Sequence, residues 1–252
     1  MDQHSVSRAR ADFEDRLYHW LVGASGRVFS ARERDQLTEL LVDLVGYYGL
    51  QLGWARAWGD ALAPSRIRHH IVLESQDAES GGGLKILGDA RALPFANDSL
   101  DLIVLPHTLD FTTDRHQVLR EVERVLIPEG RLVLVGFNPM SLWGLARLLT
   151  AGAAEFPWRG RFVPPRRVVD WLALLGFQVE RQVPLMFLPP WWPLQRLEPL
   201  GLRWLSTWSG VYALRAVKRV APLTPLTPKW RSQARVLAGQ AVEPSIRRGV
   251  DG

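Results

Sequence analysis

The sequence predicts an α/β protein built on a doubly wound, seven-stranded and mostly parallel sheet with helices on both faces. Three observations lead there. Short runs rich in Ile, Leu and Val recur without hydrophobic–polar alternation, which suits strands covered on both sides. Amphipathic segments separate those runs, so strand and helix alternate. The 252 residues, 47% of them hydrophobic, are enough for one large α/β domain with a substantial core.

Before the first run, ADFEDRLYHWLV (Ala11 to Val22) places Phe13, Leu17, Trp20 and Leu21 at helical spacing, and a second amphipathic stretch extends from Ala31 to about Gly46. Ser30 followed by Glu33 has the form of a capping box opening that second helix. Residues 1–48 are therefore expected to be N-terminal helices packed on a core domain that spans 49–220.

The strand-like runs of that domain are GLQLG (Gly49 to Gly53), HHIVLE (His69 to Glu74), LKILGD (Leu84 to Asp89), LDLIVLP (Leu100 to Pro106) and RLVLVGF (Arg131 to Phe137). Between the last two, Val118, Leu119, Val122, Val125 and Leu126 form one helical face, closed by the Pro128-Glu129-Gly130 turn. This is a βαβ unit. Further on, SLWGLARLL (Ser141 to Leu149) and PPRRVVDWLALLG (Pro164 to Gly176) read as helices, the second ending at Gly176. FQVERQVPLMF and GVYALRAVKRV supply the sixth and seventh strands, joined by a Trp- and Pro-rich insertion at 188–209. Residues 221–252, with Lys229, Arg231, Arg235, Arg247 and Arg248, read as a flexible basic tail.

Composition excludes several chemistries. The chain has no cysteine, which rules out disulfides, thiolate catalysis and sulfur-based zinc sites. No stretch approaches the ~18 to 20 apolar residues of a membrane span, and Met1 to Arg10 is polar, so a cytoplasmic location is expected. A net charge of +5 is modest, and no specific nucleic-acid partner is expected.

In a doubly wound sheet, ligands bind across the carboxyl ends of the strands where strand order reverses. Gly53 follows the first run, and about 20 residues on comes Glu74, a spacing that suits a carboxylate accepting hydrogen bonds from ribose hydroxyls. The third run ends in Gly88-Asp89-Ala90, which offers an acceptor for an exocyclic amine beside a small residue that fits an adenine face. Together these ends describe a nucleoside pocket.

GDARALPFANDSLDLIVLPHTLDF and VLREVERVLIPEGRLVLVGFNP resemble the third, fourth and fifth motifs of the class I S-adenosylmethionine-dependent methyltransferases, which are Rossmann-like enzymes, in particular their small-molecule branch. The matching residues are Asp89, Leu93-Pro94-Phe95, Asp98-Ser99-Leu100-Asp101 and Arg124 through Gly130, and the resemblance covers roughly 46–139. Gly136 to Leu145, GFNPMSLWGL, is similar to a bacterial subgroup of methyltransferase-like proteins. The resemblance implies S-adenosylmethionine as cofactor, held by Gly53, Glu74, Asp89, Ala90 and Pro106, and a small or lipid-like molecule as methyl acceptor. His107, directly after the fourth run, is a candidate general base, since an unperturbed imidazole titrates near ~6.5.

The first motif departs from the family pattern, VLDxGCGTG. The chain reads Gly49-Leu50-Gln51-Leu52-Gly53-Trp54-Ala55-Arg56-Ala57, so Gln51 replaces the acid and only the first motif glycine, Gly53, remains. An alternative reading is accordingly a catalytically inactive binding or regulatory protein of the same fold. An NAD-dependent oxidoreductase ranks below both, because its glycine fingerprint is even less satisfied. Trp191, Trp192, Trp204 and Trp208 of the insertion are read as cover packed on the sheet, with peripheral membrane contact as the alternative.

Overall fold

Successive side chains on a strand point to opposite faces, so a run such as Leu100–Pro106 is satisfied only if both faces are covered. A computed structural model of the chain, which describes residues 19, 23–75, 84–149, 160–188 and 208–219, shows that cover. Ile103, Leu105, Leu132, Leu134 and Leu214 pack on one side of the sheet with Val118, Leu119, Val122, Val168 and Leu172 from two helices. Their strand neighbours Leu102, Val104, Val133, Val135 and Ala213 pack on the other with Phe29, Leu37, Trp58 and Trp143.

In chain order the elements are α1 (Ala24–Leu41), β1 (Val45–Leu52), α2 (Ala55–Trp58), β2 (Arg66–Glu74), β3 (Leu84–Leu87), β4 (Leu100–Pro106), α3 (Thr108–Phe111), α4 (Arg115–Val125), β5 (Leu126–Phe137), α5 (Leu142–Leu149), α6 (Pro165–Leu174), β6 (Phe177–Met186) and β7 (Val211–Lys218). The sheet order is β3-β2-β1-β4-β5-β7-β6. The first five strands pair in parallel, and β7 runs antiparallel between β5 and β6. The seven strands anticipated from the apolar runs are all present. Gly176, in the left-handed region at φ +79°, ends the turn after α6 where a helix stop was expected.

Two boundaries differ from the sequence reading. β1 begins at Val45 rather than Gly49, because the exposed residues Val45, Tyr47 and Tyr48 hide its first half from a search for apolar runs. α1 begins at Ala24, so Ser30 and Glu33 lie inside the helix and form no capping box; both are buried. The helix expected at Ala11–Val22, the Trp-rich segment apart from its ends, and the basic tail lie outside the described residues.

Buried charges tie the layers together. Arg215 of β7 reaches across to α1, donating to Leu40 O at 3.1 Å and Asp43 Oδ1 at 2.6 Å while its Nε donates to Glu180 Oε2 at 2.7 Å. Lys218 donates to Asp98 Oδ1 and to the carbonyls of Glu123 and Leu126 at 2.7 to 2.8 Å. No helix among the described residues is long and apolar enough to cross a membrane.

Candidate active site

Strand order reverses between β1 and β4, and the carboxyl ends there carry Gly53, Glu74, Asp89, Ala90, Pro106 and His107. This is where a doubly wound sheet opens a crevice.

The turn after β1 is held by its own side chains. Gly53 has φ +79°, and its N–H continues the ladder by donating to Leu73 O at 2.8 Å. A Cβ added there would meet Glu74 Oε2 at 3.9 Å, an ordinary contact distance, so the backbone conformation rather than crowding requires glycine. Gln51, fully buried, accepts from Ala61 N at 2.8 Å and donates from Nε2 to Gly53 O at 3.0 Å. A carboxylate at this position could accept but not donate to a carbonyl. The substitution that looked like a loss in the first motif thus gives an internal brace.

Glu74 closes β2, and its Oε1 accepts from Ala55 N at 2.8 Å, which satisfies one of the free amides at the start of α2. Its other oxygen overhangs Gly53. Asp89, after β3, is partly exposed; Oδ1 accepts from Arg91 N at 2.9 Å, and the carboxylate faces the Arg91 guanidinium at 2.6 to 3.1 Å. With side-chain exposures of 47% and 40%, this ion pair is worth at most about 1 kcal/mol. Ala90 and Pro106 are both buried at their strand ends.

Several residues that carry the family resemblance shape this edge without being positioned to touch a ligand. Arg124 of α4 donates to Leu93 O, Phe95 O, Asn97 Oδ1 and both oxygens of Glu121, whose Oε2 accepts from Leu93 N. The fork clamps the Leu93-Pro94-Phe95 turn that leaves Asp89. Asp101 accepts from the amides of Tyr47 and Tyr48 at 3.0 and 2.8 Å, fixing β4 against β1 at the far end. Asn138 accepts from Met140 N at 3.0 Å, and its carbonyl accepts from Ser141 Oγ at 2.6 Å, as a turn residue does.

His107 sits at the end of β4 with φ +48° and is fully buried. Nε2 lies 2.8 Å from Glu33 Oε1 of α1, and Nδ1 lies 3.1 Å from Asp110 Oδ2 of α3. Its ring stacks on Phe137 at 4.2 Å and meets Trp54 at 4.9 Å. Burial alone would depress its pKa, but the charge of Glu33 and the hydrogen bonds to Asp110 and Glu33 outweigh it and hold the imidazole at about 9. Burial pushes the carboxyls of Glu33 and Asp110 up, and the imidazolium between them draws each back. A general base needs a neutral nitrogen open to its partner. Both nitrogens here are engaged, so the geometry fits a positioning role better than the proton-accepting role anticipated from sequence. Glu33 was missed as a member of this cluster; the signal for it, an acid on the apolar face of α1, is visible only once the helix register is known.

Comparison with known proteins bears on the domain and its fold. A model of the methyltransferase domain matches residues 66–134, from β2 into β5. The uncharacterized protein YafS of Escherichia coli K12 is 32% identical over 217 residues, 86% of this chain and 87% of its own. A ubiquinone/menaquinone biosynthesis C-methyltransferase of Hahella chejuensis is 42% identical over 53 residues, 21% of each chain. Among solved structures, an S-adenosylmethionine-dependent methyltransferase from Thermotoga maritima superposes with TM-score 0.61 at 22% identity, over 86% of this chain and 99% of that one. A geranyl diphosphate C-methyltransferase from Streptomyces coelicolor, solved with geranyl diphosphate and S-adenosyl-L-homocysteine, gives 0.53 at 17% over 77% and 81%. This chain and YafS are members of one family, which carries a methyltransferase domain over residues 66–134 of this chain and the Rossmann-like fold of the S-adenosylmethionine-dependent methyltransferases.

Proposed function

We propose that the protein transfers the methyl group of S-adenosylmethionine to a small or lipid-like acceptor, with Gly53, Glu74, Asp89, Ala90 and Pro106 lining the cofactor site. The observation that carries this reading is the convergence of Glu74 on Gly53, its Oε2 3.9 Å from where a Cβ would stand, at the switch point of the sheet. A carboxylate there suits ribose hydroxyls, and Asp89 beside the small, buried Ala90 suits an adenine amine and ring. Bound S-adenosylmethionine would supply the electrophilic methyl. The protein's own share is orientation, which in-line displacement needs more than a proton acceptor.

An apolar acceptor fits the partly buried aromatic rings at this edge. Trp54 stacks on Phe111 at 5.9 Å, and Phe162 stacks at 4.8 Å on Phe137, which is itself buried in the core. Relatives named for quinone and geranyl diphosphate methylation point to the same class of acceptor. The absence of cysteine supports a reducing, cytoplasmic setting.

Calorimetric titration with S-adenosylmethionine and its demethylated product tests the proposal. Micromolar binding, weakened about tenfold by Asp89→Ala or Glu74→Gln, about 1.4 kcal/mol, is expected. Unchanged binding in both variants would remove the site assignment.

A further inference from the structure

We propose that Glu33 of α1 is a positioning residue for the cofactor turn: it fixes the His107 ring, and His107 carries the Trp54 ring and with it the backbone that follows Gly53. The inference rests on the reading of that turn as the cofactor site.

Trp54 and His107 end the neighbouring parallel strands β1 and β4, and both hold left-handed backbone, at φ 68° and 48°. A residue with a Cβ is strained in that conformation and keeps it only when its surroundings enforce it. Ring contacts hold it here: Trp54 meets His107 at 4.9 Å, tilted by 32°, and Phe111 and Trp58 at 5.9 and 6.0 Å, while His107 stacks on Phe137 at 4.2 Å with an interplanar angle of 29°. Gln51 anchors the carbonyl of Gly53, whereas none of its bonds reaches the Trp54 side chain.

The ring of His107 is oriented by two carboxylates from different elements. Glu33 takes Nε2 from α1, and Asp110 takes Nδ1 from α3 while also accepting from Phe137 N at 2.9 Å. A fully buried carboxylate in mid-helix is destabilising unless it is paired. Glu33 finds that partner in His107, and the Trp58 side chain also acts on its carboxylate. The charged groups acting on His107 are Glu33 and Asp110; Asp110 in turn feels Arg115 of α4, and the remaining rings around the imidazole, from Phe29, Trp54, Trp58 and Phe137, are uncharged.

Glu33→Gln in the full chain keeps the shape and removes the charge. Two measurements read the result: hydrogen exchange at the Trp54 and Ala55 amides without ligand, and S-adenosyl-L-homocysteine affinity from pH 6 to pH 10. Exchange at those two amides is expected to rise about tenfold, with the β5 amides of Leu132 to Val135 unchanged. Affinity is expected to fall several-fold at neutral pH, and its alkaline decline, near pH 9 in the parent, to move toward the ordinary histidine range. In a His107→Gln background, Glu33→Gln is expected to add nothing to either readout. Should the double variant fail to fold, Glu33→Asp, which keeps the charge, is expected to restore the parent pH profile. Unchanged exchange at Trp54 and Ala55 with an unchanged pH profile in folded Glu33→Gln would overturn the inference. If the parent chain binds no S-adenosyl-L-homocysteine, the cofactor reading fails, and the exchange measurement still decides whether Glu33 holds the turn.

Discussion

The side-chain amide of Gln51 bridges the carbonyl of Gly53 and the amide of Ala61, at 3.0 and 2.8 Å, from a fully buried position. Glutamine can donate and accept at once, and the acid usual at this place in the family cannot. Introducing an acid of the same length by Gln51→Glu is therefore expected to do harm, setting a buried carboxylate against a carbonyl oxygen. A loss of about 2 to 4 kcal/mol in urea denaturation is expected. A neutral or stabilising effect would show that the brace contributes nothing.

Stability is expected to fall at alkaline pH. His107 has a folded pKa of about 9, above its unfolded value near ~6.5, so its contribution is complete below the unfolded pKa and is lost as pH rises through about 9. Unfolding measured from pH 6.5 to pH 9.5 should show a decline on the order of 3 kcal/mol at most, flattened in His107→Gln. A flat profile in the parent chain would contradict the charged form.

Arg124→Lys is expected to cost about 2 kcal/mol, although the charge is kept. The guanidinium reaches two carbonyls, an amide oxygen and a carboxylate at once, which a single ammonium cannot match. Faster hydrogen exchange at Leu93 N, which donates to Glu121, would locate the damage at the turn after Asp89.

Asp89→Ala separates binding from folding. Its carboxylate is 40% exposed and paired with an exposed arginine, so thermal unfolding should shift by no more than about 0.5 kcal/mol while cofactor affinity drops about tenfold. A large stability loss would mean that Asp89 serves the turn more than the ligand.

Much of this architecture was legible because parallel strands need cover on both faces, and that need writes continuous apolar runs such as Leu100–Pro106 and Arg131–Phe137 into the chain. Where cover is one-sided, legibility fails: the exposed Tyr47 and Tyr48 concealed the first half of β1. Local pattern also misled at Ser30 and Glu33, whose spacing is that of a capping box but which serve inside a helix. Only the distant residue His107, 74 positions along the chain from Glu33, explains why an acid belongs there. The same distance hid the character of His107, because a pKa is set by neighbours that the primary order does not reveal.

The span that matches the methyltransferase domain, residues 66–134, excludes Glu33, Asp43 and Arg215. Cutting the chain at those limits would strip His107 of one counter-ion and remove α1, which Arg215 fastens to the sheet. The matched span is thus smaller than the set of elements these contacts join, and expression of a trimmed domain should begin upstream of Ala24 and run through β7.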